Sequence, residues 1–181
     1  MNVQYDDQTL IKGCLQNDRN SQKLLYEKYS PAMLGHCMRF TNSREMAEDV
    51  LIEGFMRVYK NLGSYQGNSS LAFWIKRVMT NAAISYLRKN SKHHNLVSID
   101  ENEFYEPEDK TIYINEKQSE KELLELIQKM PEKYRTVLNL RAFEGLEYGE
   151  IASMLDIPEV TARTRFSKAK KWLEERIDLK S

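Results

Sequence analysis

Apolar residues recur every three or four positions from Thr9 to about Lys89, lose that spacing between Ser91 and about Glu116, and regain it from Leu123 to Leu173. A three-to-four period marks amphipathic helices, so the chain reads as all-α. Two small helical domains are expected, residues 1–90 and 117–181, with the patternless stretch 91–116 between them. That stretch contains Pro107 and is rich in acids. Unstructured connections of such length are uncommon inside one compact domain, so it reads as a flexible acidic linker.

In the first block, Thr9 to Leu15 predicts a short helix and Ser21 to Phe40 a longer one that Pro31 should bend. Leu24, Leu25, Tyr29, Met33 and Leu34 are its core candidates. Ser43 is placed to cap a third helix ending near Gly63, with Met46, Val50, Phe55 and Val58 inside and Glu48, Asp49 and Glu53 on another face. Gly54 within it weakens the helix by about 1 kcal/mol relative to alanine, so this helix depends on packing. The turn-rich loop SYQGNSS follows, and Ser70 caps a fourth helix from Leu71 to about Lys89.

That helix carries two faces. Leu71, Trp74, Ile75, Val78, Ala82 and Tyr86 are spaced for burial, whereas Phe73, Arg77, Asn81 and Arg88 form a second strip. Rings and cations beside a polar loop suit unstacked bases, each worth about 1 to 3 kcal/mol in stacking. Trp74 also fits a core position, and Tyr65 in the loop is open between the two roles.

In the second block, Leu123, Leu124, Ile127 and Met130 open a helix, Pro131 begins another at a favoured position, and Val137, Leu138 and Leu140 lead onward. Tyr148, Ile151, Ala152 and Leu155 then define one short helix, stopped by Asp156 and Pro158. Ala162, Phe166, Ala169 and Leu173 define the buried stripe of the next. Among them stand Thr161, Arg163, Thr164, Arg165, Ser167, Lys168, Lys170 and Lys171. Two interlocked periods about a tight turn, with cations for phosphates and hydroxyls for base edges, are the layout of a helix-turn-helix that enters a DNA major groove. A solvated basic helix would carry the same charges without the turn.

Charge sharpens this picture. Lys and Arg number 27 and Asp and Glu 27, so the net charge is zero. The distribution is uneven: residues 1–90 hold 12 basic and 8 acidic side chains, residues 91–120 hold 3 and 8, and residues 121–181 hold 12 and 11. No run of eighteen apolar residues is present, so no membrane span is expected. The first residues lack a basic and then apolar leader, which makes secretion an unexpected fate and the cytoplasm the expected one. Cys14 and Cys37 read as ordinary thiols, and His36, His93 and His94 give no ligand spacing with them, so neither metal nor cofactor is expected. No nucleophile with a base, glycine-rich phosphate loop or paired carboxylates suggests an enzyme.

Three segments in order resemble one family. AEDVLIEGFMRVYKNL is similar to the second-region helix of extracytoplasmic-function sigma factors, the promoter-specificity subunits of bacterial RNA polymerase. SYQGNSSLAFWIKRVMTNAAISYLRKN resembles the segment that melts and reads the minus-ten element, and MPEKYRTVLNLRAFEGLEYGEIASMLDIPEVTARTRFSKAKKWL resembles the fourth region.

The resemblance implies that Asp49, Val50, Ile52, Glu53 and Phe55 dock on the clamp helices of the polymerase's largest subunit. It implies that Tyr65 and Asn81 hold a flipped minus-ten base, and that Arg163, Thr164, Arg165, Ser167 and Lys168 read the minus-thirty-five element, with Arg141 on a phosphate. Contact with the flap of the second-largest subunit, passage of the linker through the active-site cleft and capture by an anti-sigma factor are further family expectations. Val160 stands where the family often has glycine, Ile52 replaces a common glutamine, and Gly54 is smaller than usual. Two rival readings are a stand-alone helix-turn-helix regulator, which would bind a palindromic operator as a dimer, and a helical interaction module without a DNA role.

Overall fold

A computed structural model describes residues 6–90 and 120–178. The expected linker, 91–116, lies outside the described residues. Those residues form helices only: α1 Asp7–Leu15, α2 Arg19–Phe40, α3 Arg44–Asn61, a 3₁₀ turn Leu62–Ser64, α4 Leu71–Asn90, α5 Glu120–Lys129, α6 Glu132–Leu138 continued by a π turn Asn139–Phe143, α7 Tyr148–Leu155 and α8 Glu159–Asp178. The chain divides into two compact units, Met1–Met38 with Ser43–Tyr86 and Arg39–Asn42 with Leu87–Ser181.

In the first unit, carboxylates and hydroxyls begin the helices. The Thr9 N–H donates to Asp6 at 2.6 Å, and the N–H and hydroxyl of Ser21 donate to Asp18 at 2.8 and 2.6 Å. These bonds satisfy amides that a helix start leaves unpaired, and they hold both carboxyls below their ordinary pKa. The hydroxyls of Ser43 and Ser70 likewise accept from Met46 and Phe73 at 3.3 and 3.2 Å. Helix α2 continues through Pro31.

Its buried positions include Leu25, Tyr29, Met33 and Cys37; α3 contributes Ala47, Val50, Leu51, Phe55 and Val58; α4 contributes Leu71, Ile75, Met79, Ala82 and Ala83. The spacing of three and four within each set is the periodicity that produced the helices. Two polar groups in this interior satisfy each other, His36 Nε2 and Thr80 Oγ1 at 3.0 Å.

In the second unit, Leu126, Ile127, Met130, Leu138, Ala169, Leu173 and Ile177 form one core, with Leu123, Tyr134, Phe166 and Trp172 packed against it. Pro131 precedes α6, and its carbonyl accepts from Tyr134 and Arg135 at 3.0 Å each. After α6 the backbone widens: Glu144 N–H bonds to Asn139 O at 3.0 Å, five residues back. Gly145, at φ +70°, then reverses the chain in a conformation that favours glycine. Helix α7 ends at Asp156 in the left-handed region, φ 57°, and Pro158 leads into α8. Aspartate tolerates that geometry, so the tight turn expected between the two helices is made by Asp156 itself.

Candidate nucleic-acid and polymerase interfaces

On α3, Asp49 and Ile52 are exposed and Glu53 half-buried, whereas Val50 and Phe55 are buried. The last two correct the docking set expected from the family resemblance. Val50 lies three residues after Ala47 and Phe55 four after Leu51, on the core stripe, and the Phe55 ring meets Tyr26 at a centroid distance of 4.7 Å. Neither side chain offers appreciable surface in this structure. Met56, one turn after Ile52, is a second exposed apolar residue of α3; they are 67% and 56% exposed. Its signal was present in the sequence, since 52 and 56 share a face at i, i+4. Beside this pair Glu53 is bound by Arg57, and Asp49 accepts from the Tyr86 hydroxyl at 3.2 Å.

Phe73, Arg77 and Asn81 stand one turn apart along α4, all exposed, and Arg88 is exposed two turns beyond Asn81. Phe73 shows 58% of its surface although it is aromatic. At the base of this strip the loop before α4 is braced by Tyr65. Its hydroxyl donates to Ser69 O at 2.5 Å and its ring lies 5.6 Å from Trp74. Both rings are half-buried, so each has a packed side and a solvent side.

In the second unit, Arg163 and Lys171 are exposed on α8, and Thr161, Thr164, Ser167 and Lys168 are partly exposed. Arg163, Thr164, Ser167, Lys168 and Lys171 repeat at three- and four-residue steps and share one face. Arg165 does not belong to it. It is 3% exposed, three residues after Ala162 and four before Ala169. The resemblance puts Arg165 among the minus-thirty-five readers, and in this structure its side chain is buried.

Arg141 sits in the π turn, donates to Leu146 O at 3.0 Å and pairs with Glu147 at 2.9 Å. The bond it donates to Glu147 holds its guanidinium above the ordinary pKa. Within α8, Arg163 donates through Nε and Nη2 to Glu159, one turn before it, at 3.2 and 2.6 Å.

These surfaces coincide with two known protein segments. Residues 25–93 match the model of sigma-70 region 2, and residues 120–173 match that of sigma-70, region 4. The RNA polymerase sigma-H factor of Pseudomonas aeruginosa is 32% identical over 184 residues, covering 97% of this chain and 95% of that protein. The chain belongs to the extracytoplasmic-function sigma factors.

Two further members are similar along nearly their whole length. The sigma-E factor of Haemophilus influenzae is 28% identical, with 98% of each chain covered, and that of Escherichia coli K12 is 27% identical, with 98% and 97% covered. Among solved structures, the sigma factor RpoE co-crystallised with the anti-sigma factor NepR from Bartonella quintana shares the fold at a TM-score of 0.53 and 18% identity, over 88% of this chain and 98% of that one. CnrH in complex with the cytosolic domain of CnrY gives 0.50 and 16%, over 97% and 99%.

As a sigma factor, the chain directs RNA polymerase to promoters and takes part in transcription initiation. A stand-alone regulator is not favoured. Among the described residues no cluster could hold a metal ion and no helix is long and apolar enough to cross a membrane.

Proposed function

We propose that this sigma factor divides its work among the surfaces described above. Residues 1–90 dock on the clamp helices of the largest polymerase subunit through Asp49, Ile52, Glu53 and Met56. The same domain takes an unstacked minus-ten base against Tyr65 and Asn81, with Phe73, Arg77 and Arg88 along the strand. Residues 117–181 read the minus-thirty-five element through Thr161, Arg163, Thr164, Ser167, Lys168 and Lys171, with Arg141 on a phosphate and the flap of the second-largest subunit as support. Residues 91–116 tether the two. The chain catalyses nothing itself, requires no cofactor and works in the cytoplasm beside the polymerase.

The observation that most supports this reading is the exposure of a basic, hydroxyl-bearing face on α8 in the same chain as an exposed Phe73–Arg77–Asn81 strip on α4. Each is weak alone. A handful of phosphate contacts on a neutral chain provides mostly non-specific affinity, with a dissociation constant of roughly 10⁻⁴ to 10⁻⁶ M. Mounting both on one polymerase makes the second contact intramolecular, so two weak sites select a promoter together. An anti-sigma factor is a natural regulator of such a chain, a reading supported by the two solved relatives, each captured with a protein partner.

Binding to promoter fragments, measured with the isolated chain and with its holoenzyme at one salt concentration, tests the proposal. Holoenzyme is expected to bind at least a hundredfold more tightly, the upper end of the gain that linking two sites gives being about 10⁴. Equal affinity without polymerase would overturn it.

A further inference from the structure

Tyr148 stands at the start of α7 between two cations that come from different elements. The guanidinium of Arg141, in the π turn, lies 4.9 Å from its ring centroid, and that of Arg163, on α8, lies 4.6 Å from it. The Phe166 ring, one turn along α8 from Arg163 on the core side, meets Tyr148 at 6.0 Å and 66°, edge to face. One half-buried ring is therefore the common platform of two arginines.

Each arginine also has a carboxylate of its own, Glu147 for Arg141 and Glu159 for Arg163. The acids and the ring differ in what happens when DNA arrives. Both carboxylates are surface groups, 73% and 49% exposed, and a phosphate or base edge competes with them for the same N–H donors. The ring face takes up none of these donors, although the Tyr148 hydroxyl accepts a hydrogen bond from the Arg141 side chain. The ring attracts a guanidinium through its face, which leaves the edge donors of Arg163 free of the ring and able to donate to a new partner.

From this geometry we infer that Tyr148 is a positioning residue for promoter selection, holding Arg163 and Arg141 by their faces in the orientation in which their edges meet DNA. The inference rests on the reading that α8 addresses the minus-thirty-five element. The ring sets where the forks point before contact, so less side-chain freedom is lost on binding. Because the two cations share one ring, Arg141 on a backbone phosphate and Arg163 in the groove are held in a fixed mutual register.

Holoenzyme carrying variants of this chain tests the inference by competition among promoters that differ at single minus-thirty-five base pairs. Tyr148→Leu is expected to reduce discrimination about 5-fold, near the effect of a lost cation–π contact at an exposed site. The double variant Tyr148→Leu with Arg163→Ala is expected to be no worse than Arg163→Ala alone. Tyr148→Phe keeps the face, loses only the hydroxyl's bond to Arg141 and is expected to retain discrimination at the base pairs that Arg163 reads. Pentafluorophenylalanine at position 148 keeps the ring's shape, reverses the charge of its face and is expected to lose discrimination as leucine does, which separates positioning from packing if leucine impairs folding.

Loss of discrimination in Arg163→Ala together with unchanged discrimination in the pentafluoro variant, or additive losses in the double variant, would overturn the role of Tyr148. Unchanged discrimination in Arg163→Ala itself would remove the underlying reading of α8, and with it the inference.

Discussion

Gly54 and Met79 are in such close approach that a Cβ built on the glycine would stand 2.1 Å from the methionine sulfur. Helices α3 and α4 are packed at this point with no room for a side chain from α3, since Met79 fills it and is wholly buried. The residue that weakens α3 as an isolated helix is the residue that lets it pack.

A double-mutant cycle separates these effects. Gly54→Ala gains about 1 kcal/mol of helix propensity but overpacks the core at a cost of about 1 to 3 kcal/mol, so urea denaturation is expected to show a net loss. Met79→Ala costs about 2 to 5 kcal/mol through its cavity. With Met79 truncated, Gly54→Ala is expected to become stabilising. A loss of the same size in both backgrounds would show that the sulfur is not the obstacle.

Exposure divides the α3 residues into two groups with opposite expected behaviour. Ile52→Asp and Met56→Asp change surface positions, so melting should stay near that of the wild type, within about 0.5 kcal/mol. Their affinity for core polymerase should fall at least tenfold. Phe55→Ala removes a buried ring and costs about 3 to 5 kcal/mol of stability, which makes any loss of polymerase binding a consequence of unfolding. Normal polymerase affinity in both aspartate variants would discard this face as the docking site.

For the loop before α4, the distinction lies between the ring and the hydroxyl of Tyr65. Tyr65→Ala removes a stacking surface worth about 1 to 3 kcal/mol and should slow opening of the minus-ten region by at least fivefold, read from 2-aminopurine fluorescence in the promoter. Tyr65→Phe loses only the bond to Ser69 O and should stay close to wild type. Asn81→Ala should depend on which base is presented, because an amide reads a base edge and a ring does not. Equal opening rates in the Tyr65→Ala and wild-type holoenzymes would count against a base pocket here.

The helices and the turn between α7 and α8 were legible because each rests on local signals: three-to-four periodicity, the capping Ser43 and Ser70, and the pair Asp156 and Pro158. Val50 and Phe55 show how far such signals reach. Periodicity put them inside while the family resemblance put them at a docking surface, and burial agrees with periodicity. Arg165 is a different case: its charge suggests an outward role, whereas the structure has it 3% exposed.

The π turn left no trace in NLRAF, because one extra residue in a hydrogen-bonded ring changes neither composition nor period. The shared platform at Tyr148 was equally hidden. Its partners lie seven residues before it and fifteen after, and only the folded unit brings them to one ring.

The central claim is that this chain selects start sites only while mounted on core polymerase. Transcription in vitro from fragmented genomic DNA, with purified core enzyme with and without the chain and with mapping of RNA 5′ ends, tests it most directly. New start sites are expected to appear only when both are present, preceded by shared minus-ten and minus-thirty-five sequences. Failure of the chain to join core polymerase, or a holoenzyme with the same start sites as core alone, would contradict it.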